Sequence, residues 1–209
     1  GANTYVVGIT GNFDDAQTGV KKMFSNKELA KVMNDNGFQF SSANSINIGR
    51  LVPQVVYYVK AYADLLKQGA LKAGEPMNVV VPTGNFGNIL ASYYAKQMGI
   101  PIGKFVCASN KNKVLFDFFE TGKYDRNREF YVTTSPSMDI LISSNLERMI
   151  YRIAGNDPKQ CAEFMAALTK DGEYVITDDT ALKLRAEDGR SIKDVDISLF
   201  INDLPNKKD

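Results

Sequence analysis

The sequence predicts an α/β fold, an open and mostly parallel sheet flanked by helices. Three observations carry that reading. Short runs rich in β-branched and aromatic residues, at 5–9, 38–41, 79–81, 104–108 and 131–134, alternate with segments of helical spacing. Glycine and proline fall between them, at Gly37, Gly69 to Pro76, Gly99 to Pro101 and Gly122. Polar loops at 10–13, 42–47, 83–88 and 109–112 follow four of the strand-like runs, at the edge where open sheets hold ligands.

The elements follow in order. Residues 14–24 read as a helix with Ala16, Val20, Met23 and Phe24 on one face, and Ser25 with Glu28 predicts the start of a second helix that Gly37 ends. A long amphipathic helix is expected over about 48–68, with Val52, Val55, Val56, Val59, Tyr62, Ala63 and Leu66 as its buried stripe and Pro53 as a kink or late start. Val79, Val80 and Val81 have the composition of a strand buried on both faces, and Pro82 stops it. Ile89, Leu90, Tyr93, Tyr94 and Met98 then continue as a helix. Val114, Leu115, Phe118 and Phe119 mark another, and Ser144 with Glu147 is expected to cap a helix running to about Ala154. Gly155-Asn156-Asp157-Pro158 reads as a boundary, dividing an α/β portion at 1–155 from a weakly patterned extension at 156–209 that holds one short helix at 161–168 and a strand at 174–177.

Composition narrows the chemistry. The 209 residues suit one large or two small domains, and 25 Lys and Arg against 24 Asp and Glu leave +1, too balanced for a nucleic-acid backbone binder. No apolar run reaches membrane-spanning length. Cys107 and Cys161 are too few and too far apart for a zinc site or disulfide framework, so core thiols in a reducing cytoplasm are expected. The chain has no histidine, which removes histidine triads, histidine-bearing metal sites and the usual general base near pH 7. Lysine, carboxylate, hydroxyl or a cofactor must carry any reaction.

The candidate site is Thr83-Gly84-Asn85-Phe86-Gly87-Asn88, between strand and helix. Two glycines three apart let the backbone approach a ligand, and the helix start aims unpaired N–H groups the same way, as a phosphate site requires. Spacing alone leaves open a turn that uses glycine only for geometry. Thr10-Gly11-Asn12-Phe13 repeats the same four letters but continues into Asp14-Asp15. Like charges about 4 Å apart repel by roughly 4 kcal/mol at an effective dielectric near 20, against about 0.3–2 kcal/mol offered to an anion by a helix N-terminus. Repulsion wins there, so Asp14 or Asp15 is expected to cap its own helix and only the second copy can take an anion. Ser45 and Asn47 face either a substrate or a helix start. Asp139 and Arg148 are expected to form a structural ion pair, with a direct catalytic role as the alternative, and Tyr57, Tyr58, Tyr93 and Tyr94 core or subunit contacts.

FDDAQ at 13–17, SINIGR at 45–50, PTGNFGN at 82–88, SPSMDI at 135–140 and SSNLER at 143–148, in that order, resemble threonine synthase. The resemblance covers about residues 5–155. It implies the tryptophan-synthase β-like fold (fold type II) of pyridoxal-phosphate enzymes, and conversion of O-phospho-L-homoserine and water to L-threonine and phosphate. It places the cofactor phosphate on Gly84, Asn85, Phe86, Gly87 and Asn88, with Ser45 and Asn47 near the substrate. Three blocks of the family are not in the sequence. The resemblance implies that the Phe-Lys-Asp block with its Schiff-base lysine, and the Ser-Gly-Asp-Thr-Gly loop, lie upstream of Gly1. It implies that the Asp-Pro-His-Thr block follows Asp209. The expectation is therefore an internal fragment, inactive alone, of a cytoplasmic lyase in threonine biosynthesis. It carries no catalytic residue or metal ligand of its own, and its partner is a small amino-acid phosphate rather than nucleic acid or membrane. The alternatives are another fold type II lyase or deaminase, and a non-enzymatic domain that binds a phosphorylated ligand.

Overall fold

The computed structural model describes residues 3–11, 13–176 and 197–198. The chain forms two compact units, 1–42 and 43–209. In the first, α1 (Phe13–Ser25) and α2 (Lys27–Asp35) run in sequence, and Phe24 meets Phe40 with ring centroids 5.4 Å apart. Asn26, not Ser25, caps α2, its side chain accepting from the Leu29 amide at 2.9 Å. The strands expected at 5–9 and 38–41 do not form. Among the described residues neither segment has a ladder to join, and Tyr5, Val6 and Val7 are exposed.

The second unit holds the sheet. β1 (Met77–Pro82) pairs in parallel with β2 (Ile102–Ala108), and β2 with β5 (Ile197–Ser198). The register shifts between Met77 and Val79, where Gly103 and Lys104 stand opposite Asn78. The Asn78 side chain fills the irregularity by accepting from the Lys104 amide at 2.9 Å, as a bulge requires. β1 is buried on one face only: Val79 and Val81 point inward and Val80 is 60% exposed. The expectation of burial on both faces fails because the face that carries Val80 has no covering layer among the described residues.

The expected long helix divides as Pro53 predicts, into α3 (Ile48–Leu51), a 3₁₀ turn at Val52–Gln54 and α4 (Val55–Lys67). α5 (Gly87–Gln97) follows β1 and packs against α4 and the sheet, its fully buried Ala91 and Ala95 permitting close approach. α6 (Val114–Thr121) follows β2 and ends at Gly122, whose φ of 75° suits the left-handed C-terminal position. The expected strand at 131–134 is irregular; instead β3 (Lys123–Asp125) pairs antiparallel with β4 (Glu173–Val175). α7 (Leu146–Ile153) buries Leu146, Met149, Ile150 and Ile153, one helical stripe, and packs on α8 (Pro158–Lys170). Asp157 caps α8, and Gly155 to Pro158 lies inside the second unit. Gly1 and Ala2, Asn12, and residues 177–196 and 199–209 lie outside the described residues.

Burial raises several acids here. It pushes the Cys107 thiol from 9.0 up to about 11, a Thr83 hydrogen bond partly offsetting it, and the Tyr58 phenol from 10.0 up to about 12. Tyr174 moves upward too, stacked at 5.3 Å on Tyr124. Each group ionises less readily folded than unfolded, so its contribution to stability is intact below the unfolded value and lost as pH rises through the folded one. The denaturant midpoint is therefore expected to fall once pH passes 9.0 and to keep falling towards about 12. A midpoint unchanged through that window would show these groups to be solvated.

Candidate functional site

Strand β1 delivers its loop at the carboxyl edge of the sheet. The Thr83 amide donates to the Ala108 carbonyl at 2.9 Å and the Thr83 hydroxyl to the Val81 carbonyl at 2.7 Å, so the chain turns off the sheet beside the end of β2. Phe86 then adopts φ 63° and ψ 0°, left-handed backbone that costs a non-glycine residue about 1–2 kcal/mol. Its side chain is 1% exposed and packs on Phe119 at 6.0 Å between centroids. Full burial of a phenylalanine is worth about 1.5–3 kcal/mol, which offsets the strain.

The loop's carbonyls are drawn back towards the start of α7. Gly84 O accepts from Ser143 Oγ at 2.8 Å, and Asn85 O accepts from the Asn145 amide at 3.0 Å and from Asn145 Nδ2 at 2.9 Å. Phe86 O accepts the first helical bond, from the Leu90 amide. The amides of Gly84, Asn85, Phe86, Gly87, Asn88 and Ile89 meet no acceptor among the described residues. Residues 83–88 carry no acid. Six donors at a helix start, with carbonyls turned away, are chemically suited to an anion.

The side chains of the loop serve packing. Asn88 Oδ1 accepts from the Tyr58 hydroxyl while its Nδ2 donates to Gln54 Oε1 at 3.1 Å, fastening α5 to α4. Asn85 Oδ1 accepts from the Ser144 hydroxyl at 3.2 Å, so Ser144 holds the loop, and Asn145 rather than Ser144 is the N-cap residue of α7. The glycines serve protein contact. A Cβ on Gly84 would stand 2.6 Å from the Ser137 carbonyl, and one on Gly87 2.5 Å from Ser45 Oγ. Their absent side chains admit two neighbouring segments.

Of the two candidate substrate residues, Ser45 joins the loop, its hydroxyl accepting from Asn145 Nδ2 at 2.9 Å. Asn47 is the N-cap of α3, accepting from the Gly49 amide at 2.9 Å. Gly1, ahead of which the Schiff-base lysine is expected, lies outside the described residues. The expected Asp139–Arg148 pair does not form. Asp139 is buried and accepts from Asn110, Asn112 and Thr133, and Arg148 donates to the Ser45 and Ile46 carbonyls and to Asn145. Spacing did not reveal Ser143, Asn145 or Ser137, which reach the loop from more than fifty residues away; only their place in the SPSMDI and SSNLER blocks marked them. No group of three or more acids and thiols among the described residues is arranged to hold a metal ion, and no helix there is long and apolar enough to cross a membrane.

Known proteins share both sequence and fold with this chain. It is 49% identical over 176 residues to threonine synthase-like 1 of Macaca fascicularis, covering 83% of this chain and 24% of that protein. It is 38% identical to threonine synthase of Pseudomonas aeruginosa, over 85% of this chain and 36% of that one. The crystal structure of PLP-bound threonine synthase from Brucella melitensis superposes with a TM-score of 0.71 at 38% identity, over 91% of this chain and 37% of that chain. Over most of its length the chain resembles the threonine synthases. Its mixed α/β architecture with a parallel sheet is that of the pyridoxal-phosphate threonine synthases, fold type II. It spans about a quarter to a third of the length of the curated relatives it matches. A model described as an ABC ATPase P-loop domain matches residues 165–209. That stretch contains no G-x-x-x-x-G-K-[ST] sequence, the element with which a P-loop cradles phosphates.

Proposed function

We propose that this chain forms the cofactor-phosphate portion of a pyridoxal-phosphate lyase that converts O-phospho-L-homoserine and water to L-threonine and phosphate. The observation that carries the reading is the set of donor amides at Gly84–Ile89, which meet no acceptor among the described residues while the carbonyls of Gly84, Asn85 and Phe86 are engaged. Gly84, Asn85, Phe86, Gly87 and Asn88 hold the cofactor phosphate through main-chain N–H groups. A hydrogen bond to a charged partner contributes about 1.5–3 kcal/mol, so two or three of them outweigh the helix dipole's roughly 0.3–2 kcal/mol. When bound, the cofactor supplies an electron sink, which suits a chain without histidine. In this reading Ser45 and Asn47 are the residues near the substrate; what supports it is that Ser45 is bonded through Asn145 to the loop, while Asn47 caps α3. Catalysis needs the Schiff-base lysine of the family's Phe-Lys-Asp block, so these residues alone bind without turning over.

Titration of the ¹⁵N-labelled chain with inorganic phosphate tests the cradle. The amide resonances of Gly84–Ile89 are expected to move, with those of Val114–Thr121 still; movement elsewhere and none in the loop would refute the assignment. One observation favours a second reading, another lyase of the same fold with a different phosphorylated amino-acid substrate. Identity is higher to threonine synthase-like 1 than to threonine synthase of Pseudomonas aeruginosa. The substrate profile of the enzyme that contains this chain decides between the two.

A further inference from the structure

The geometry points to Asn145 and Arg148 as positioning residues that clamp the segment at Ser45 and Ile46 onto the loop Gly84–Asn88, so that an anion taken up by the loop is sensed at Ser45. This inference rests on the cradle reading above.

Asn145 is fully buried and uses every polar atom. Its amide and its Nδ2 both donate to the Asn85 carbonyl, its Nδ2 also donates to Ser45 Oγ, and its Oδ1 accepts from Arg148 Nη1. Arg148, one turn along α7, donates Nη1 to the Ser45 carbonyl at 3.2 Å and Nη2 to the Ile46 carbonyl at 2.7 Å. A planar guanidinium spans two successive carbonyls, and a lysine ammonium cannot reproduce that fork. The clamped segment also leaves no slack against α5. A Cβ on Gly87 would meet Ser45 Cβ at 2.9 Å and Asn145 Nδ2 at 3.3 Å. Any shift of the first turn of α5 is thus passed directly to Ser45. Asn47, which starts α3, is two residues further on. The phosphate loop and the candidate substrate segment are held as one unit by a helix that belongs to neither.

The test uses the full 209-residue chain, wild type and Arg148→Lys, with inorganic phosphate as probe. Without phosphate, hydrogen-exchange protection of the Ile46 and Asn47 amides is expected to fall about tenfold in Arg148→Lys while that of Val79–Val81 holds. Equal protection in the two proteins would overturn the clamp whatever phosphate does. With phosphate, wild type is expected to show shifts at Gly84–Ile89 and also at Ser45–Asn47, and Arg148→Lys at Gly84–Ile89 alone. Shifts at both segments in the variant would overturn the coupling and leave the cradle standing. No shift at Gly84–Ile89 in wild type would remove the cradle, and the exchange data would then judge the clamp alone. Ser45→Ala removes one hydroxyl and disturbs no helix. It is expected to show the same loss of transmitted shift, which a purely structural role for Arg148 does not foresee.

Discussion

Gly84→Ala is expected to destabilise the chain by about 2–3 kcal/mol, the upper part of the range for overpacking. The added Cβ would lie 2.6 Å from the Ser137 carbonyl oxygen and 3.4 Å from Met138 Cα, and both are backbone atoms. They cannot swing aside as a side chain would. The turn they belong to, Pro136–Met138, is fastened by the Met138 amide to Ser135 O at 2.9 Å and the Asp139 amide to Pro136 O at 3.1 Å. Gly84 cannot retreat the other way either, because its carbonyl holds Ser143. Gly19→Ala supplies the control. Gly19 lies within α1 with nothing within 4 Å of its added Cβ, so alanine there is expected to stabilise by about 0.5–1 kcal/mol. Urea midpoints should therefore move in opposite directions. If both rose, the close approach of the 137 segment to the loop would be wrong.

Asp139→Asn is expected to cost a similar amount, about 2–3 kcal/mol, although the change is nearly isosteric. Every group aimed at this buried carboxylate is a donor. Oδ1 accepts from Asn110 Nδ2 at 2.7 Å, Asn112 Nδ2 at 3.0 Å and Thr133 Oγ1 at 2.7 Å, and Oδ2 accepts from the Thr133 amide at 2.8 Å. A side-chain amide must turn its own NH₂ onto one of those donors whichever way it is set, leaving buried groups facing like partners. The loss should appear in the denaturant midpoint without a change in slope. It should also perturb the Gly84 amide resonance, since Asp139 closes the bend that brings Ser137 against Gly84. A change within the roughly 0.5 kcal/mol typical of surface substitutions would mean the carboxylate is not the hub of the bend.

How much was legible in the sequence follows from the range of the forces involved. β1, the loop and α5 were readable because their determinants are local: three valines, a proline that stops the ladder and a 3.6-residue period. Pro53 broke the long helix for the same reason. Val80 was misread because one-sided exposure depends on what lies across the sheet, which three like residues do not encode. The strand expected at 131–134 became irregular where Asn112 and Asp139 take the backbone groups of Tyr131 and Thr133, a side-chain competition that periodicity does not register. In the candidate site, the absence of acid was legible and the segments packed against the glycines were not. Whether a missing Cβ admits a ligand or a neighbouring loop depends on Ser137 and Ser45, each about fifty or forty residues away. Asp139 and Arg148 each anchor several hydrogen bonds, but opposite charge in sequence does not bring them together.

The bonds from α7 also set a chronology. Thr83 meets Ala108 across twenty-five residues of chain, whereas Asn145 and Arg148 reach Ser45 and Ile46 across a hundred or more. During synthesis the two strands can therefore zip long before the ribosome has delivered Arg148, and until then the Ser45 and Ile46 carbonyls lack the bonds that α7 brings. The surroundings of the loop are thus finished by a helix that arrives after the loop and the 45–46 segment are both made.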